Sequence, residues 1–215
     1  MEGWSALILA GGAGRRFGGG KLLADLAGAP VIRRVAEATA NAGFAEVVVV
    51  TGLQDAPVRA ALEGIACRII HARGWAQGMS ATLRIGIAAL PADAKGVCVF
   101  LGDMPLVPVI LCPTLAEAAE LSGYAARPRF EGKPGHPVAF ARAALADLIA
   151  LEGDKGATDL LKARADVAYL DTADSGVLLD IDTPEDLAAA VRAWRACATS
   201  ATSESATSRG ALPNP

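Results

Sequence analysis

The sequence has few aromatic residues, few histidines and few cysteines, and it contains neither a long apolar run nor a basic block. Aromatic side chains make up 5% of the 215 residues. No apolar stretch approaches the roughly 18 residues that a membrane-spanning helix requires, so we expect no transmembrane segment and no membrane partner. The short apolar run near the N-terminus follows no basic segment, so we expect no signal peptide.

The charges of the chain are almost balanced, with 20 basic and 23 acidic residues and a net charge of −3. Because the basic residues form no block, general binding to nucleic acid is not expected. A small polyanion is still a suitable ligand, since a few local cations and backbone N–H groups suffice to hold it.

The cysteines lie far apart in the sequence, at Cys67, Cys98, Cys112 and Cys197, and none forms a C-x-x-C pair. Two of them, Cys67 and Cys98, fall inside apolar, strand-like runs. We therefore predict free thiols in a reducing cytoplasm rather than a zinc site or a disulfide framework.

Short β-branched runs alternate with longer segments that carry apolar residues at helical spacing. The predicted strands span residues 6–10, 46–51, 67–70 and 97–101, and the predicted helices span 30–42, 57–62 and 79–90. These strands are apolar on both faces, as strands covered by helices on both sides must be. The alternation predicts an α/β fold of three layers, α/β/α, around a mainly parallel, twisted sheet.

The second half of the chain is less regular. Helices are predicted at 108–121, 142–151 and 157–164, with strand-like pieces inside 123–140. The run Val177–Asp182 is predicted as a strand, and Thr183 and Pro184 then open a last helix that runs to about Cys197. Residues 198–215 are rich in Ser, Thr and Ala, which predicts a disordered tail after a single domain of residues 1–197.

A glycine-rich loop, AGGAGRRFGGGKLL, follows the first predicted strand and contains Arg15, Arg16 and Lys21. Glycine permits positive φ, so the loop can turn several backbone N–H groups towards one anion while the cations supply charge. The pattern therefore indicates a phosphate-binding loop. A structural turn with solvated arginines is the alternative.

Two familiar phosphate-binding motifs do not fit this loop. With Gly20 and Lys21 as the G-K pair of a P-loop, the first glycine position falls on Arg15 and the hydroxyl position on Leu22. A dinucleotide fingerprint that begins at Gly12 has Phe17 at its third glycine position. Neither a P-loop NTPase nor a nicotinamide enzyme is supported.

The loop instead resembles the N-terminal signature of nucleotidyltransferases of the molybdenum cofactor type, approximately L-A-[AG]-G-x-S-x-R-M-G-x-x-K. Gly14 stands where that signature has serine, and Phe17 where it has methionine. The resemblance implies a Rossmann-like fold of the nucleotide-diphospho-sugar transferase type and catalytic roles for Arg16, Lys21 and Asp103. It also implies that the strand end and the loop bind nucleotide through Leu9, Ala10, Gly11, Gly12, Gly14, Arg15 and Gly18.

Two acidic segments resemble the metal-binding elements of the same family. Asp103 lies in L-G-D-M-P after a buried strand, and Asp182 lies in D-I-D-T-P-E-D-L. A carboxylate at the carboxyl end of a parallel strand faces the ligand crevice, and Mg²⁺ prefers oxygen ligands. Asp182 is the preferred second ligand of the metal, and Asp180 is the other candidate. Alternatively, Asp182 or Thr183 caps the last helix.

Three further segments resemble family elements. Residues 74–83 resemble a segment that contacts the base and ribose, which implies nucleotide binding by Gly78 and Ser80, although Ser80 could equally cap a helix. G-H-P-V and G-D-K-G-A resemble elements near the acceptor, which implies acceptor binding by His136 and Lys155.

The reaction implied by the resemblance is attack of an acceptor phosphate on the α-phosphorus of an NTP, with release of pyrophosphate and with Mg²⁺ as cofactor. The acceptor would be molybdopterin or another small phosphorylated molecule, and a molybdoenzyme or its chaperone would receive the product. Gly11 resembles the enzymes that use GTP. CTP is the preferred prediction, because four other features resemble the enzymes that use CTP: the two-residue gap between Gly18 and Lys21, and the strings G-H-P-V, G-D-K-G-A and D-I-D-T-P. A non-catalytic nucleotide-binding accessory protein is the alternative from another class.

Overall fold

The computed structural model describes residues 1–12, 14–153 and 156–207, with only the backbone described for Arg15 and residues 198–207. The strands are β1 (Trp4–Ala10), β2 (Asp25–Leu26), β3 (Ala29–Pro30), β4 (Glu46–Thr51), β5 (Arg68–His71), β6 (Gly96–Leu101), β7 (Ala125–Phe130), β8 (Lys133–Pro134), β9 (Val138–Ala141) and β10 (Val167–Asp171). The α-helices are α1 (Val31–Ala40), α2 (Asp55–Ala61), α3 (Met79–Ala88), α4 (Cys112–Ser122), α5 (Leu145–Ile149), α6 (Thr158–Lys162) and α7 (Pro184–Thr207).

One large sheet organises these elements, in the order β10-β7-β9-β6-β1-β4-β5, with β8 paired to β7. Neighbouring strands are parallel throughout the part β6-β1-β4-β5 of the sheet, and β10 is parallel to β7. Strand β9 runs antiparallel to both β6 and β7. The predicted fold class, a three-layer α/β structure around a mainly parallel sheet, is confirmed.

The first strand shows why helices cover both faces of this sheet. Ala6, Ile8 and Ala10 belong to one buried apolar cluster, which also contains side chains of α1 and α4. Leu7 and Leu9 point the other way, into a second cluster with side chains of α3, α5 and α6. Because successive side chains of a strand alternate between faces, a strand that is apolar at every position requires a core on each side.

The order of the strands creates a crevice beside β1. From β1 the chain proceeds to β4 and β5 on one side, and it then returns to β6 on the other side. Ligands of open α/β sheets bind at such a reversal, outside the carboxyl ends of the strands. A hydrogen bond connects the carboxyl ends of β1 and β6, since the Gly102 N–H donates to the Leu9 carbonyl over 2.9 Å. The glycine loop and Asp103 therefore start from adjacent points.

The strand predicted at Val177–Asp182 is wrong. Residues Ser175–Leu178 form a 3₁₀ helix, and the chain from there to Pro184 is irregular. Asp174 accepts a hydrogen bond from the Gly176 N–H at 2.8 Å, a local turn that competes with strand pairing. The place beside β7 is occupied by β10, a strand that the sequence analysis did not predict.

The last helix begins at Pro184, as predicted, because Thr183 caps it. The Thr183 hydroxyl accepts from the Asp186 N–H at 3.2 Å, and the Asp186 carboxylate accepts from the Thr183 N–H at 2.8 Å. This reciprocal pair is a capping box. The helix continues to Thr207, past the predicted end near Cys197. Residues 208–215 of the predicted tail lie outside the described residues.

Helix α7 also fixes the segment that precedes it. Ile181 and Ala190 are buried together with Leu26 and Val31, in a small cluster between α7 and the β2–β3 hairpin. The Arg34 guanidinium lies 4.9 Å from the ring centroid of Trp194, a cation–π contact across the same junction. No described helix is long and apolar enough to cross a membrane.

Candidate active site

A cavity of about 470 Å³ opens at the carboxyl ends of β1 and β6. Ten of its lining residues were predicted from the sequence as site residues: Leu9, Ala10, Gly11, Gly12, Gly14, Arg16, Lys21, Gly78, Asp103 and Asp182. Asp180, the second choice for the second metal ligand, also lines the cavity. The other lining residues are Leu22, Trp75, Ala76, Met79, Thr82 and Leu101. The structure thus brings together residues from the first strand, the glycine loop, the start of α3, the end of β6 and the segment before α7.

The glycine loop uses the conformational freedom of its glycines. Gly14, Gly18, Gly19 and Gly20 all have positive φ, between 58° and 94°. The Gly14 carbonyl accepts hydrogen bonds from the N–H groups of Phe17 and Gly19, each at 3.1 Å, so the loop closes on its own backbone. A Cβ at Gly14 would lie 3.2 Å from Cγ of Lys21. Glycine at this position therefore leaves room for the lysine side chain.

Lys21 is the centre of the site. Its side chain is only 11% exposed, and its ammonium lies 2.5 Å from Oδ2 of Asp103 and 2.8 Å from Oδ1 of Asp182. Asp103 follows β6, whereas Asp182 precedes α7, so the lysine joins two segments that are distant in the sequence. The structure thus brings three residues that the sequence analysis named in separate segments into direct contact.

Asp182 is held in place from several directions. Nη1 of Arg16 lies 2.7 Å from Oδ2 of Asp182, although the Arg16 side chain is 82% exposed. The neighbouring Ile181 N–H donates to the Asp103 carbonyl at 3.0 Å, which fixes the distance between the two acidic segments. Because Thr183 caps α7, the carboxylate of Asp182 faces the cations rather than the helix N-terminus.

The charges of the site shift the pKa values of its groups. Burial would lower the pKa of Lys21, but its ion pairs with Asp103 and Asp182 raise the pKa above the ordinary value. The hydrogen bond from Lys21 lowers the pKa of Asp182. Asp180 has the opposite tendency, because burial and the charges of Asp182 and Asp103 raise its pKa. The site therefore concentrates carboxylates around one lysine and one arginine.

The donor set fits a hard divalent ion. Two carboxylates, from Asp103 and Asp182, already converge on a single cationic group, and Asp180 lines the same cavity. Among the described residues no cluster of three or more metal-ligating side chains forms. An ion here would take its remaining ligands from phosphate oxygens and water, as Mg²⁺ commonly does.

Some predicted site residues lie elsewhere. Ser80 is buried and faces away from this cavity, and its hydroxyl donates to the Glu152 carbonyl at 3.3 Å. Thr82, two positions along α3, lines the cavity instead. Gly18 is in the loop but does not line the cavity. The side chain of Arg15 and the whole of Lys155 lie outside the described residues, so the structure places neither.

His136 lies in a second, neighbouring cavity rather than in the first one. The sequence analysis missed Arg127, which lines the same second cavity. No sequence signal distinguished Arg127 from Arg129, the other arginine of β7, because its position depends on how β7 pairs in the sheet. Trp75 and Met79 were also missed as lining residues, although the resemblance already covered residues 74–83.

The profile of the MobA-like NTP transferase domain matches residues 6–168. The chain belongs to this family. The matched region of this MobA-like domain contains the glycine loop, Lys21 and Asp103, whereas Asp182 and α7 follow it in the sequence.

The MobA-like domain is also similar to individual proteins. A 3-deoxy-manno-octulosonate cytidylyltransferase from Francisella philomiragia is 32% identical over 107 residues, which cover 47% of this chain and 39% of that protein. The chain thus matches well under two thirds of the length of this curated relative.

Solved structures match over more of the chain. Rv0371c from Mycobacterium tuberculosis superposes with a TM-score of 0.78 and 27% identity, covering 88% of this chain and 97% of that one. A structure of Rv0371c in complex with manganese has a TM-score of 0.76 and 25% identity, with 88% and 98% covered. A relative with the same fold therefore binds a divalent ion.

Proposed function

We propose that the chain transfers a nucleoside monophosphate from an NTP to a small phosphorylated acceptor and releases pyrophosphate. The observation that carries this proposal is the position of the Lys21 ammonium, between the carboxylates of Asp103 and Asp182 at the wall of a cavity that the glycine loop partly lines. Membership of the MobA-like family supports the same class of reaction.

The cations and the loop bind the triphosphate in this proposal. Lys21 and Arg16 pair with its oxygens, and the N–H groups of the loop near Gly11, Gly12 and Gly14 approach the phosphates without a side chain in between. As pyrophosphate forms, negative charge grows on these oxygens, and fixed cations stabilise it without reorganisation.

A divalent ion completes the charge balance. Asp103 and Asp182 would hold Mg²⁺, which would neutralise phosphate charge when it is bound. The ion needs the carboxylates that Lys21 now contacts, so Lys21 has to exchange at least part of its carboxylate contact for phosphate contact when nucleotide and metal bind.

No general base is required of the protein. A phosphate monoester has a second pKa near 6, so it is already an ionised nucleophile at neutral pH. The residues then contribute alignment of the two phosphates and stabilisation of charge. This agrees with a cavity whose described lining residues include cations and carboxylates but no histidine.

CTP is the proposed nucleotide, with GTP as the alternative. A Cβ at Gly11 would lie 2.8 Å from Oγ1 of Thr82, so Thr82 already fills the space that this glycine leaves. Gly11 therefore gives a purine no extra room on that side. The cytidylyltransferase from Francisella philomiragia among the relatives supports the same choice.

Molybdopterin is the proposed acceptor, on the strength of the loop signature and of the MobA-like family. A molybdoenzyme or its chaperone is the proposed recipient of the product, and the cytoplasm is the proposed location. Another small phosphorylated molecule is the alternative acceptor, because the fold does not determine the acceptor.

The central experiment measures pyrophosphate release with CTP, GTP, ATP or UTP, with Mg²⁺ or Mn²⁺, and with or without molybdopterin. We expect release with CTP only when the acceptor and the divalent ion are both present. Asp103→Asn should reduce the rate at least a hundredfold, since it removes a carboxylate that holds the ion. Asp171→Asn is the matched control, because Asp171 also forms an ion pair, with Arg129, but lies on β10, outside the cavity.

The outcomes separate the alternatives. A preference for GTP would identify GTP rather than CTP as the nucleotide substrate. Release of pyrophosphate with a different phosphorylated acceptor would identify that molecule rather than molybdopterin as the acceptor. Tight nucleotide binding without pyrophosphate release for any acceptor would favour the non-catalytic accessory protein. An Asp103→Asn variant as active as Asp171→Asn would refute the site.

A second experiment tests the choice of base. Thr82→Ala should raise kcat/KM for GTP relative to CTP, because it vacates the space beside Gly11. Thr82→Val keeps the volume and removes only the hydroxyl, so it should keep the preference of the unmodified protein. If Thr82→Ala has the same ratio of kcat/KM for GTP and CTP as the unmodified protein, Thr82 does not restrict the size of the base.

A further inference from the structure

The chain that follows β4 packs against the start of the glycine loop. Strands β1 and β4 are parallel neighbours, and their register pairs Ala10 with Thr51, the last residue of each strand. Gly11 and Gly52 come directly after this pair, so the β4–α2 loop (residues 52–54) leaves the sheet beside the glycine loop. Gly11 lines the first cavity, whereas Gly52 lies behind it and does not line the cavity.

Gly52 lies against the backbone of Gly11. A Cβ at Gly52 would lie 2.4 Å from the carbonyl oxygen of Gly11 and 2.8 Å from its Cα, whereas ordinary van der Waals contact begins at 3.4 Å. Gly52 is buried and is not among the glycines with positive φ, so its backbone conformation does not require glycine. The closeness of Gly11 is therefore the reason why only glycine fits at position 52.

Gly11 has a second close neighbour, the side chain of Thr82. A Cβ at Gly11 would lie 2.8 Å from Oγ1 of Thr82, so α3 leaves no space for a side chain there either. The backbone of Gly11 is thus in close contact with two other elements, the β4–α2 loop and α3. Closely packed backbone transmits a displacement instead of absorbing it. The contact with Gly52 therefore helps to determine where the glycine loop begins.

The β4–α2 loop is anchored at its first residues. The Thr51 carbonyl accepts a hydrogen bond from the Ala72 N–H at 2.9 Å, and the Thr51 hydroxyl donates to the carboxylate of Asp55 at the start of α2. The glycine loop, by contrast, is closed by hydrogen bonds within its own backbone. A substituent on Gly52 should therefore displace Gly11 rather than the β4–α2 loop.

The same segment also approaches the far end of the glycine loop. A Cβ at Gly20 would lie 3.8 Å from Nε2 of Gln54, and α2 packs against the 3₁₀ turn Lys21–Leu23. The β4–α2 segment thus contacts the glycine loop at its start and at its end. A segment that contacts both ends can hold the loop in one place while the loop itself consists largely of glycine.

We propose that Gly52 is a positioning residue of the nucleotide site, which fixes the place of Gly11 by direct backbone contact without itself touching the ligand. The inference rests on the proposed binding of an NTP by the glycine loop, and it adds a residue outside the cavity that determines the geometry of that loop. With a Cβ at Gly52, Gly11 would have to move by about 1 Å, from 2.4 Å to 3.4 Å, and a misplacement of this size can cost about 100-fold in rate.

The test compares Gly52→Ala with Gly96→Ala. Gly96 is the first residue of β6, and a Cβ there would lie 2.5 Å from the carbonyl oxygen of Phe140, so the clash is of the same kind but at the other end of the strands. Calorimetry measures the binding of CTP with Mg²⁺, at a temperature at which thermal melting shows both variants to be folded. We expect Gly52→Ala to bind CTP at least about tenfold more weakly than Gly96→Ala does.

Hydrogen exchange detects the displacement of the loop without any ligand. The N–H groups of Phe17 and Gly19 donate to the Gly14 carbonyl, so peptides that contain them should exchange about tenfold faster in Gly52→Ala than in the unmodified protein. Gly96→Ala should leave this exchange unchanged. In an active enzyme, Gly52→Ala should raise KM for CTP, while KM for the acceptor stays within about twofold.

A second variant weakens the anchor without adding any atom to the contact. Thr51→Val keeps the volume of a buried side chain and removes the hydroxyl that donates to Asp55, so CTP binding should weaken about threefold and exchange in the glycine loop should rise. Thr39→Val is the matched control, because the Thr39 hydroxyl is also buried and hydrogen-bonded, but on α1.

The outcomes separate this inference from the proposed function. Equal CTP affinity in Gly52→Ala and Gly96→Ala would overturn the positioning role. If Gly52→Ala does not fold, Thr51→Val decides, and CTP affinity and loop exchange equal to those of Thr39→Val would overturn the role. Absence of CTP binding in the unmodified protein would contradict the proposed function instead. Hydrogen exchange would then decide on Gly52, since unchanged exchange of the glycine loop in its variant overturns the role without any nucleotide.

Discussion

Lys21 occupies the position between two carboxylates that a divalent ion also requires. Its ammonium contacts Asp103 and Asp182 directly, and burial alone would not favour a charge there. A buried lysine is stable in such a place only because the carboxylates compensate its charge. Lys21 thus holds Asp103 and Asp182 close to each other until a ligand replaces one of its two contacts with them.

Replacement of Lys21 should therefore have opposite effects on two ligands. In Lys21→Met, we expect Mn²⁺ to bind more tightly without nucleotide, because no ammonium competes for the carboxylates. CTP should bind about 10- to 100-fold more weakly, because a charge-assisted hydrogen bond to phosphate is lost. Calorimetry with each ligand measures both effects. Lys133→Met, on the exposed strand β8, is the control, and weaker Mn²⁺ binding in Lys21→Met would contradict this account.

His136 should make the folded protein sensitive to mild acid. Its pKa is lowered from 6.5 to about 4 by burial, so the unfolded chain takes up a proton at a pH at which the folded protein does not. The contribution is fully present above about pH 6.5 and is lost as the pH falls towards 4. Between pH 7 and pH 5 this costs roughly 2 kcal/mol of unfolding free energy.

Urea unfolding at pH 7 and pH 5 measures this loss. In His136→Gln the loss should be smaller than in the unmodified protein by roughly 2 kcal/mol, because glutamine does not titrate. His71→Gln, at the exposed end of β5, should lose as much as the unmodified protein. An equal loss in all three proteins would show that His136 is not buried in its neutral form.

At the scale of the element, the start of α7 serves both stability and the site. The capping box of Thr183 and Asp186 satisfies the first N–H groups of the helix and leaves Asp182 free to pair with Lys21 and Arg16. The sequence offered two roles for this stretch, capping and metal binding. The structure divides them between neighbouring residues, with Thr183 in the first role and Asp182 in contact with the cations.

Loss of the cap should cost about 1 kcal/mol of unfolding free energy, as observed for caps in general. Thr183→Ala is the direct test by urea unfolding, and Thr183→Ser, which keeps the hydroxyl, should recover most of the loss. The alanine variant should also weaken Mn²⁺ binding slightly, because Asp182 precedes the cap. Equal stability of the two variants would contradict the capping role.

At the scale of the whole molecule, α7 joins the C-terminal part of the chain to the site. Its residues Leu187, Val191 and Trp194 pack on the small cluster that buries Ile181, the neighbour of Asp182. Among the side chains that the structure describes, the contacts that position Asp182 come from residues before 198. This agrees with the predicted domain of residues 1–197, which stays a prediction.

Two truncations test this organisation. A chain that ends at residue 197 should keep the melting temperature and the Mn²⁺ affinity of the full chain. A chain that ends at residue 183 should melt at a lower temperature, because it loses the apolar contacts of α7, and it should bind Mn²⁺ more weakly. If the shorter chain behaves like the full chain, α7 does not position Asp182.

Local sequence pattern was enough to predict the strands of the parallel series and the glycine loop. Strands such as β4 and β6 were predicted almost to the residue, because buried parallel strands are short, continuous apolar runs. The glycine loop was recognised because its glycines and cations are contiguous. The same apolar pattern misled at Val177–Asp182, where Val177 and Ile181 are buried by loops and by α7 rather than by strand pairing.

Contacts between residues that are distant in the sequence depend on how the strands and helices pack. Asp103 and Asp182 were separate candidates in the sequence, and their contact with one lysine follows from the strand order and from the packing of α7. Thr82 rather than Ser80 faces the cavity, because the rotation of α3 is set by its packing on β1 and β4. Arg127 and His136 converge because β7 and β9 pair in the sheet. Sequence patterns encode burial and local conformation, whereas convergence depends on long-range packing that no local window contains.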